Sequence, residues 1–366
     1  MPTIDGRYLE RARRLHDAAL ILDTHCDTTQ RLLLPDWDFS VRHDDGHVDI
    51  PRLREGGVSG VFLAVYAPGP VEAGAGIAAA RTQIERIHQS VRRFDAFLSL
   101  ARNADEIRRV KTDGKIAVLI GIEGGYLIED SLEVLHEYHQ CGAVYLTLTH
   151  AFHTSWADSS GVHENLSPLH GGLTDFGCGV IRELNRLGMM VDVTHVSDET
   201  FWDVLETSSA PIIASHSSCR AVSPHRRNLS DEMIEAIART GGVVQINFAA
   251  AFVDPTFPLI DPQVIRQWST KGGFEKSPYA QHVTSFDVLV DHFEHALRLV
   301  GPDHVGIGSD FDGVGALPRG MEDCSKLPYL TAALMQRGYS ESDLKKVLGE
   351  NILRVMEQCQ QMSRVL

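Results

Sequence analysis

Short apolar, β-branched runs recur along the chain with amphipathic segments between them, a pattern that predicts repeated βα units and a parallel sheet. Eight such runs are present: Ile21–His25, Gly60–Tyr66, Ile116–Glu123, Ala143–His150, Met190–His195, Pro211–His216, Gly242–Phe248 and His304–Asp310. Eight parallel strands with helical crossovers predict a closed (β/α)8 TIM-type barrel with right-handed connections. An open doubly wound sheet is the alternative. Among the intervening segments, Thr174–Leu187 sets Phe176, Val180, Ile181, Leu184 and Leu187 on one helical stripe, with Gly188 where a left-handed cap belongs. Ser340-Glu-Ser-Asp343 resembles a capping box. It predicts a final helix, read as an appendage over about 340–366 that packs on a single barrel domain spanning residues 1–366. Two long connections, Ser155–Gly172 and Ala249–Val283, follow C-terminal strand ends and should overhang whatever lies there.

In parallel α/β architectures function gathers where strands terminate. Candidate metal ligands stand at those positions: His25 and Asp27 close the first run, Glu123 the third, and His195 and His216 the fifth and sixth. His25 and Asp27 are two residues apart, so their side chains leave one face while Cys26 points the other way. His195 and His216 lie 21 residues apart, one βα unit, and end adjacent strands where they can share a second ion. Glu123 carries two oxygens and can bridge both ions. Two divalent cations held ~3.5 to 4 Å apart activate water near neutral pH.

Further residues extend this chemistry. Asp310 ends the eighth run in Gly-Ile-Gly-Ser-Asp-Phe-Asp-Gly and suits a proton shuttle, whereas Asp312 reads as a turn cap. His150 ends the fourth run and can donate to a developing oxyanion. Arg226 and Arg227 follow the sixth run's loop, where a guanidinium can clamp a substrate carboxylate. The pairs His43/His47, His136/His139 and His292/His295 have ligand-like spacing, but the last two pairs fall on amphipathic helices and are read as solvated or hydrogen-bonded side chains, while the first sits in the acidic loop Arg42-His-Asp-Asp-Gly-His47, read as a surface or site-rim segment.

Composition narrows the partner. At 366 residues, with 43% apolar and 23% charged residues, the chain can build a large core as one domain. A formal net charge of −15 argues against nucleic acid or an anionic membrane and for a small-molecule substrate. No apolar stretch approaches the ~18 residues of a membrane span. Met1–Leu20 reads as a polar helix without a signal-peptide pattern, so a cytoplasmic protein is expected. The six cysteines are scattered without a Cys-x-x-Cys pair, which indicates neither a thiolate zinc site nor a disulfide framework.

With these residues in view, the chain resembles the renal (membrane) dipeptidase family of zinc metallopeptidases, family M19, a branch of the amidohydrolase-type barrels. The resemblance runs from Asp23-Thr-His-Cys-Asp27 to Asn351-Ile-Leu-Arg354. It includes Gly121-Ile-Glu-Gly-Gly125, Tyr145-Leu-Thr-Leu-Thr-His150, Trp156-Ala-Asp158, Asn185-Arg-Leu-Gly188, Thr194-His-Val-Ser197, Ser215-His-Ser-Ser218, Arg226-Arg-Asn228 and Gly308-Ser-Asp-Phe-Asp-Gly313. It implies that His25, Asp27 and Glu123 bind one zinc and Glu123, His195 and His216 the other, with other divalent metals as alternatives. It implies Asp310 as proton carrier, His150 facing the tetrahedral intermediate, and Arg227 on the substrate carboxylate. The implied activity is dipeptide hydrolysis, often with a D-residue accepted at the C-terminal side, by a protein that in this family is often a homodimer. The rival reactions are deacylation of an N-acyl amino acid or lactone opening, which the same site chemistry serves; a catalytically idle metal-binding barrel is the reading from another class.

Overall fold

The computed structural model describes residues 4–69, 72–162, 166–258 and 282–364. All eight sequence-derived runs form strands, with one short strand added. In chain order they are β1 (Leu22–Cys26), β2 (Gly60–Tyr66), β3 (Leu98–Leu100), β4 (Ile116–Glu123), β5 (Ala143–Thr147), β6 (Met190–Asp192), β7 (Ile212–Ala214), β8 (Val243–Ile246) and β9 (Val305–Ile307). Pairing is parallel throughout, in the order β1-β2-β4-β5-β6-β7-β8-β9, and the extra strand β3 pairs only with β4. β1 and β9 meet through a single parallel bridge, Cys26 to Phe311, so the (β/α)8 barrel is nearly closed. Two backbone bonds seal that seam, Asp27 N–H to the Phe311 carbonyl (2.8 Å) and Asp310 N–H to the His25 carbonyl (3.0 Å).

The runs are apolar nearly throughout because each strand is buried on both faces. Successive side chains alternate between two cores. Val61, Val118, Ile120, Val191, Ile212, Val244 and Ile307 face the surrounding helices. Phe62, Ala117, Leu119, Tyr145, Met190, Ile213 and Val243 fill the barrel interior. Continuing the inward parity two or four residues further along each strand reaches Glu123 on β4, Asp192 on β6, Ser215 beyond β7, and Asn247 beyond β8. The barrel's polar end is therefore built by the same alternation that fills its apolar end.

The helix Asp175–Leu187 forms as read, with Thr174 accepting from the Gly177 N–H and Gly188 in the left-handed cap at φ 72°. The Ser340 capping box is also present, but the final segment is not one continuous helix. Glu341–Lys345 passes into a π-type turn over Lys346–Glu350 before Asn351–Met362 resumes. That last helix lies across the barrel's N-terminal mouth. Asn351 Nδ2 donates to the Val305 carbonyl at the start of β9, and Arg354 donates to the Gly241 carbonyl just before β8. Its Ile352, Leu353, Val355 and Met356 close the interior core from below. With the N-terminal mouth plugged, only the C-terminal mouth remains for a substrate. Among the described residues no helix is long and apolar enough to cross a membrane.

Candidate metal centre

Glu123, at the end of β4, is the middle of the polar cluster at the C-terminal mouth. Its Oε2 lies 3.4 Å from His25 Nε2, and its Oε1 lies 3.3 Å from His195 Nε2, 3.5 Å from His216 Nε2 and 3.7 Å from His150 Nε2. Asp27 Oδ2 is 3.5 Å from His25 Nε2 on one side, and the His195 and His216 Nε2 atoms are 3.1 Å apart on the other. Asp310 joins His25 and Asp27 in a third compact group of possible ligand atoms. The strand ends thus bring together every residue read as a ligand, together with His150 and Asp310. His25, Glu123, His195 and His216 are each 5% exposed or less.

The donor chemistry fits divalent cations. His25 Nδ1 is 3.0 Å from the Tyr145 hydroxyl, whose own proton goes to the Thr24 carbonyl at 3.2 Å. The ring proton therefore sits on Nδ1, and a lone pair on Nε2 points at the Glu123 and Asp27 carboxylates. That buried Nε2 has no hydrogen-bond partner. Lone pairs of nitrogen and oxygen facing one another in a buried site repel unless a cation lies between them. Tetrahedral ligands ~2.0–2.1 Å from a zinc ion stand roughly 3.3 Å apart, close to the separations seen here.

Local backbone conformation makes the convergence. The ladders end two or three residues before His150, His195, His216 and Asp310, so these side chains turn inward from the first residues of the following loops. His195 (φ 72°) and Asp310 (φ 64°) occupy the left-handed region, a conformation of some energetic cost for non-glycine residues that is held by surrounding bonds. Gly313 is needed by close approach: a Cβ there would fall 2.1 Å from Asp27 Oδ2 and 2.5 Å from Asp310 Oδ1. At Gly121 a Cβ would fall 2.0 Å from the Tyr145 ring, so glycine lets that ring cross β4 to reach His25.

Electrostatics divide the groups by role. Burial, with the Asp27 carboxylate next, pushes Asp310 up to about 8. Burial pushes His150 down to about 4, leaving a neutral ring with one N–H to donate. Tyr66 meets the His150 ring edge-on, with centroids 4.7 Å apart.

The two arginines separate. Arg227 is 3% exposed, with Nη2 donating to the His216 carbonyl at 3.1 Å and its guanidinium 5.3 Å from the centre of the Phe252 ring. Its buried Nε has no hydrogen-bond partner. Arg226 instead lines an adjacent cavity of about 610 Å³ with Ser159, His225, Phe252 and Phe257. The connection after β5 does overhang the centre: Ser160 N–H donates to the His195 carbonyl at 2.8 Å, and Ser159 Oγ donates to the His150 carbonyl. Of the connection after β8, residues 259–281 lie outside the described residues.

The histidine pairs with ligand-like spacing are occupied elsewhere. His292 Nδ1 accepts the Cys219 N–H at 3.0 Å, His295 pairs with Asp231, and His136 pairs with Glu183. His47 Nδ1 accepts the Asp312 N–H at 2.8 Å, while Asp312 also takes bonds from Thr28 and Arg31, a turn-fixing role. Among the supporting residues that sequence reasoning missed are Tyr145 behind His25, Ser215 behind His216, and Asn247, whose Nδ2 donates to Asp310 Oδ2 at 2.8 Å. All three have the inward parity of their strands, and that was the available signal.

Comparison with known proteins agrees with this geometry. The model of the membrane dipeptidase family (peptidase family M19) matches residues 9–366. The dipeptidase verJ of Clonostachys rogersoniana is 37% identical over 327 residues, 87% of this chain and 77% of that protein. The crystal structure of the probable dipeptidase PvdM from Pseudomonas aeruginosa superposes with a TM-score of 0.83 at 25% identity, covering 98% of this chain and 99% of the other. A metallo peptidase from Rhodobacter sphaeroides, solved with a phosphinate mimic of the dipeptide L-Ala-D-Ala, superposes at 0.79 with 28% identity, covering 93% and 99%.

Proposed function

The chain belongs to the membrane dipeptidase family of metallopeptidases, and from that premise we propose that it hydrolyses the peptide bond of dipeptides at a centre of two divalent cations, zinc first among them. The observation that carries the two-cation reading is the placement of Glu123, with one oxygen toward His25 and the other toward His195 and His216. His25, Asp27 and Glu123 would hold one cation, and Glu123, His195 and His216 the second. When bound, such a pair supplies Lewis acidity and lowers the pKa of water at the site.

The protein's own groups do the rest. His150 is placed to donate to the carbonyl oxygen of the scissile bond as it gains negative charge. Asp310, beside Asp27 and steadied by Asn247, takes the proton of the attacking water on its carboxylate and passes it to the leaving amine. Arg227 binds the free C-terminal carboxylate through guanidinium nitrogens not committed to the His216 carbonyl. Acceptance of a C-terminal D-residue is part of the proposal, supported by the L-Ala-D-Ala mimic bound by the Rhodobacter sphaeroides relative.

The test is amine release from L-L, L-D, N-acetylated and C-terminally amidated dipeptides by the metal-loaded wild type and Arg227→Ala. The wild type should cleave the free-amine dipeptides, L-D included. Turnover confined to the acetylated compounds would move the protein to the deacylases. Arg227→Ala should lose ~10- to 100-fold in kcat/KM on free-carboxylate dipeptides, since a charged hydrogen-bonded contact contributes about 1.5–3 kcal/mol. Equal loss on the amidated compounds would contradict the clamp.

A further inference from the structure

Resting on the two-cation reading, we infer that Asp192 is a positioning residue for the His216 side of the centre, acting through the Ser215 hydroxyl. Asp192 is completely buried. Its Oδ1 accepts from Thr194 N–H (3.0 Å), Thr194 Oγ1 (2.7 Å) and Ser215 N–H (2.8 Å). Its Oδ2 accepts from Thr147 Oγ1 (2.6 Å) and Ser215 Oγ (2.6 Å). All five donors are uncharged. A fully buried carboxylate held only by neutral donors is expensive to keep.

The placement of those donors shows what the cost supports. Thr147 stands three residues before His150, Thr194 immediately before His195, and Ser215 immediately before His216. One carboxylate therefore ties together the three strand ends that carry the imidazoles around Glu123 Oε1. Thr194 Oγ1 also accepts the His216 N–H at 3.3 Å, which fixes the backbone of that ligand from the neighbouring strand.

One branch of the network reaches a ring. Ser215 spends its hydroxyl proton on Asp192, so its oxygen is free to accept from His216 Nδ1, 2.8 Å away. With the ring proton on Nδ1, the Nε2 lone pair of His216 is left facing Glu123 Oε1 and His195. A carboxylate behind a metal-binding imidazole orients the ring and raises its basicity, and losing it typically costs 10- to 100-fold in metal affinity. His195 has no comparable support: its Nδ1 is buried without a hydrogen-bond partner. Of the two imidazoles on that side, His216 is the one held from behind.

The experiment titrates metal-free wild type, Ser215→Ala and Asp192→Asn with Zn²⁺ against a chelator of known affinity, and melts each metal-free protein. The wild type should show two binding steps. Ser215→Ala removes the relay while leaving Asp192 its bonds to Thr147, Thr194 and the Ser215 N–H. It should stay folded, weaken one step by 10- to 100-fold and leave the other unchanged. Asp192→Asn should weaken the same step at least as much. Two unaltered steps in a folded Ser215→Ala protein would overturn the inference and leave Asp192 a structural tie. A single step in the wild type would refute the two-cation reading instead, and this inference with it.

Discussion

Asp310→Asn is expected to take up metal as the wild type does and to turn over dipeptides roughly 10²- to 10⁴-fold more slowly, the usual contribution of a general acid–base group. The substitution keeps the size of the side chain in the narrow space beside Gly313, where a Cβ would already collide with Asp310 and Asp27. It removes the proton-accepting carboxylate, which burial and the Asp27 charge push up to about 8. A carboxyl raised in this way holds a proton more readily than an ordinary aspartate, and a group that first accepts and then returns a proton needs that property. Metal content measured beside single-turnover rates separates the possibilities. Wild-type turnover in a metal-replete variant would remove Asp310 from the mechanism, and loss of metal would make it a ligand instead.

Glu123→Gln should have the larger effect on the centre itself. The substitution is nearly isosteric but removes the charge that faces His25 on one side and His195 and His216 on the other. If both cations depend on this one carboxylate, both are lost together. Affinity should fall by more than the ~10- to 100-fold typical of a supporting residue, and dipeptide hydrolysis should fall with it. Metal analysis after dialysis against weak chelator reads the outcome. Loss of one cation with full retention of the other would confine Glu123 to a single position and contradict the bridging role.

Much of this was legible in the sequence because a barrel strand states its own end. The eight apolar runs are the eight barrel strands, and His25, Asp27, Glu123, His150, His195, His216 and Asp310 stood out because each breaks an apolar run at its C-terminal edge. The short strand Leu98–Leu100 was not legible: three residues after a long helix carry no periodicity of their own, and their strand character comes from pairing with β4. The early ends of the ladders were hidden for a related reason. Leu148 and Thr149 are apolar and β-branched, but they lie past the end of the ladder and bring His150 inward. Tyr145, Asp192 and Ser215 were overlooked because each lies inside an apolar run or beside a more conspicuous histidine. Only the inward parity shared with Glu123 marks them, and what they do depends on a partner from another strand.

The measurement that bears most directly on the central claim is dipeptide hydrolysis by metal-free protein as Zn²⁺ is added in known amounts. The predicted result is no amine release without metal and a rate that rises to a plateau at two equivalents per chain. Full activity at one equivalent, or no dipeptide cleavage at any loading, would contradict it.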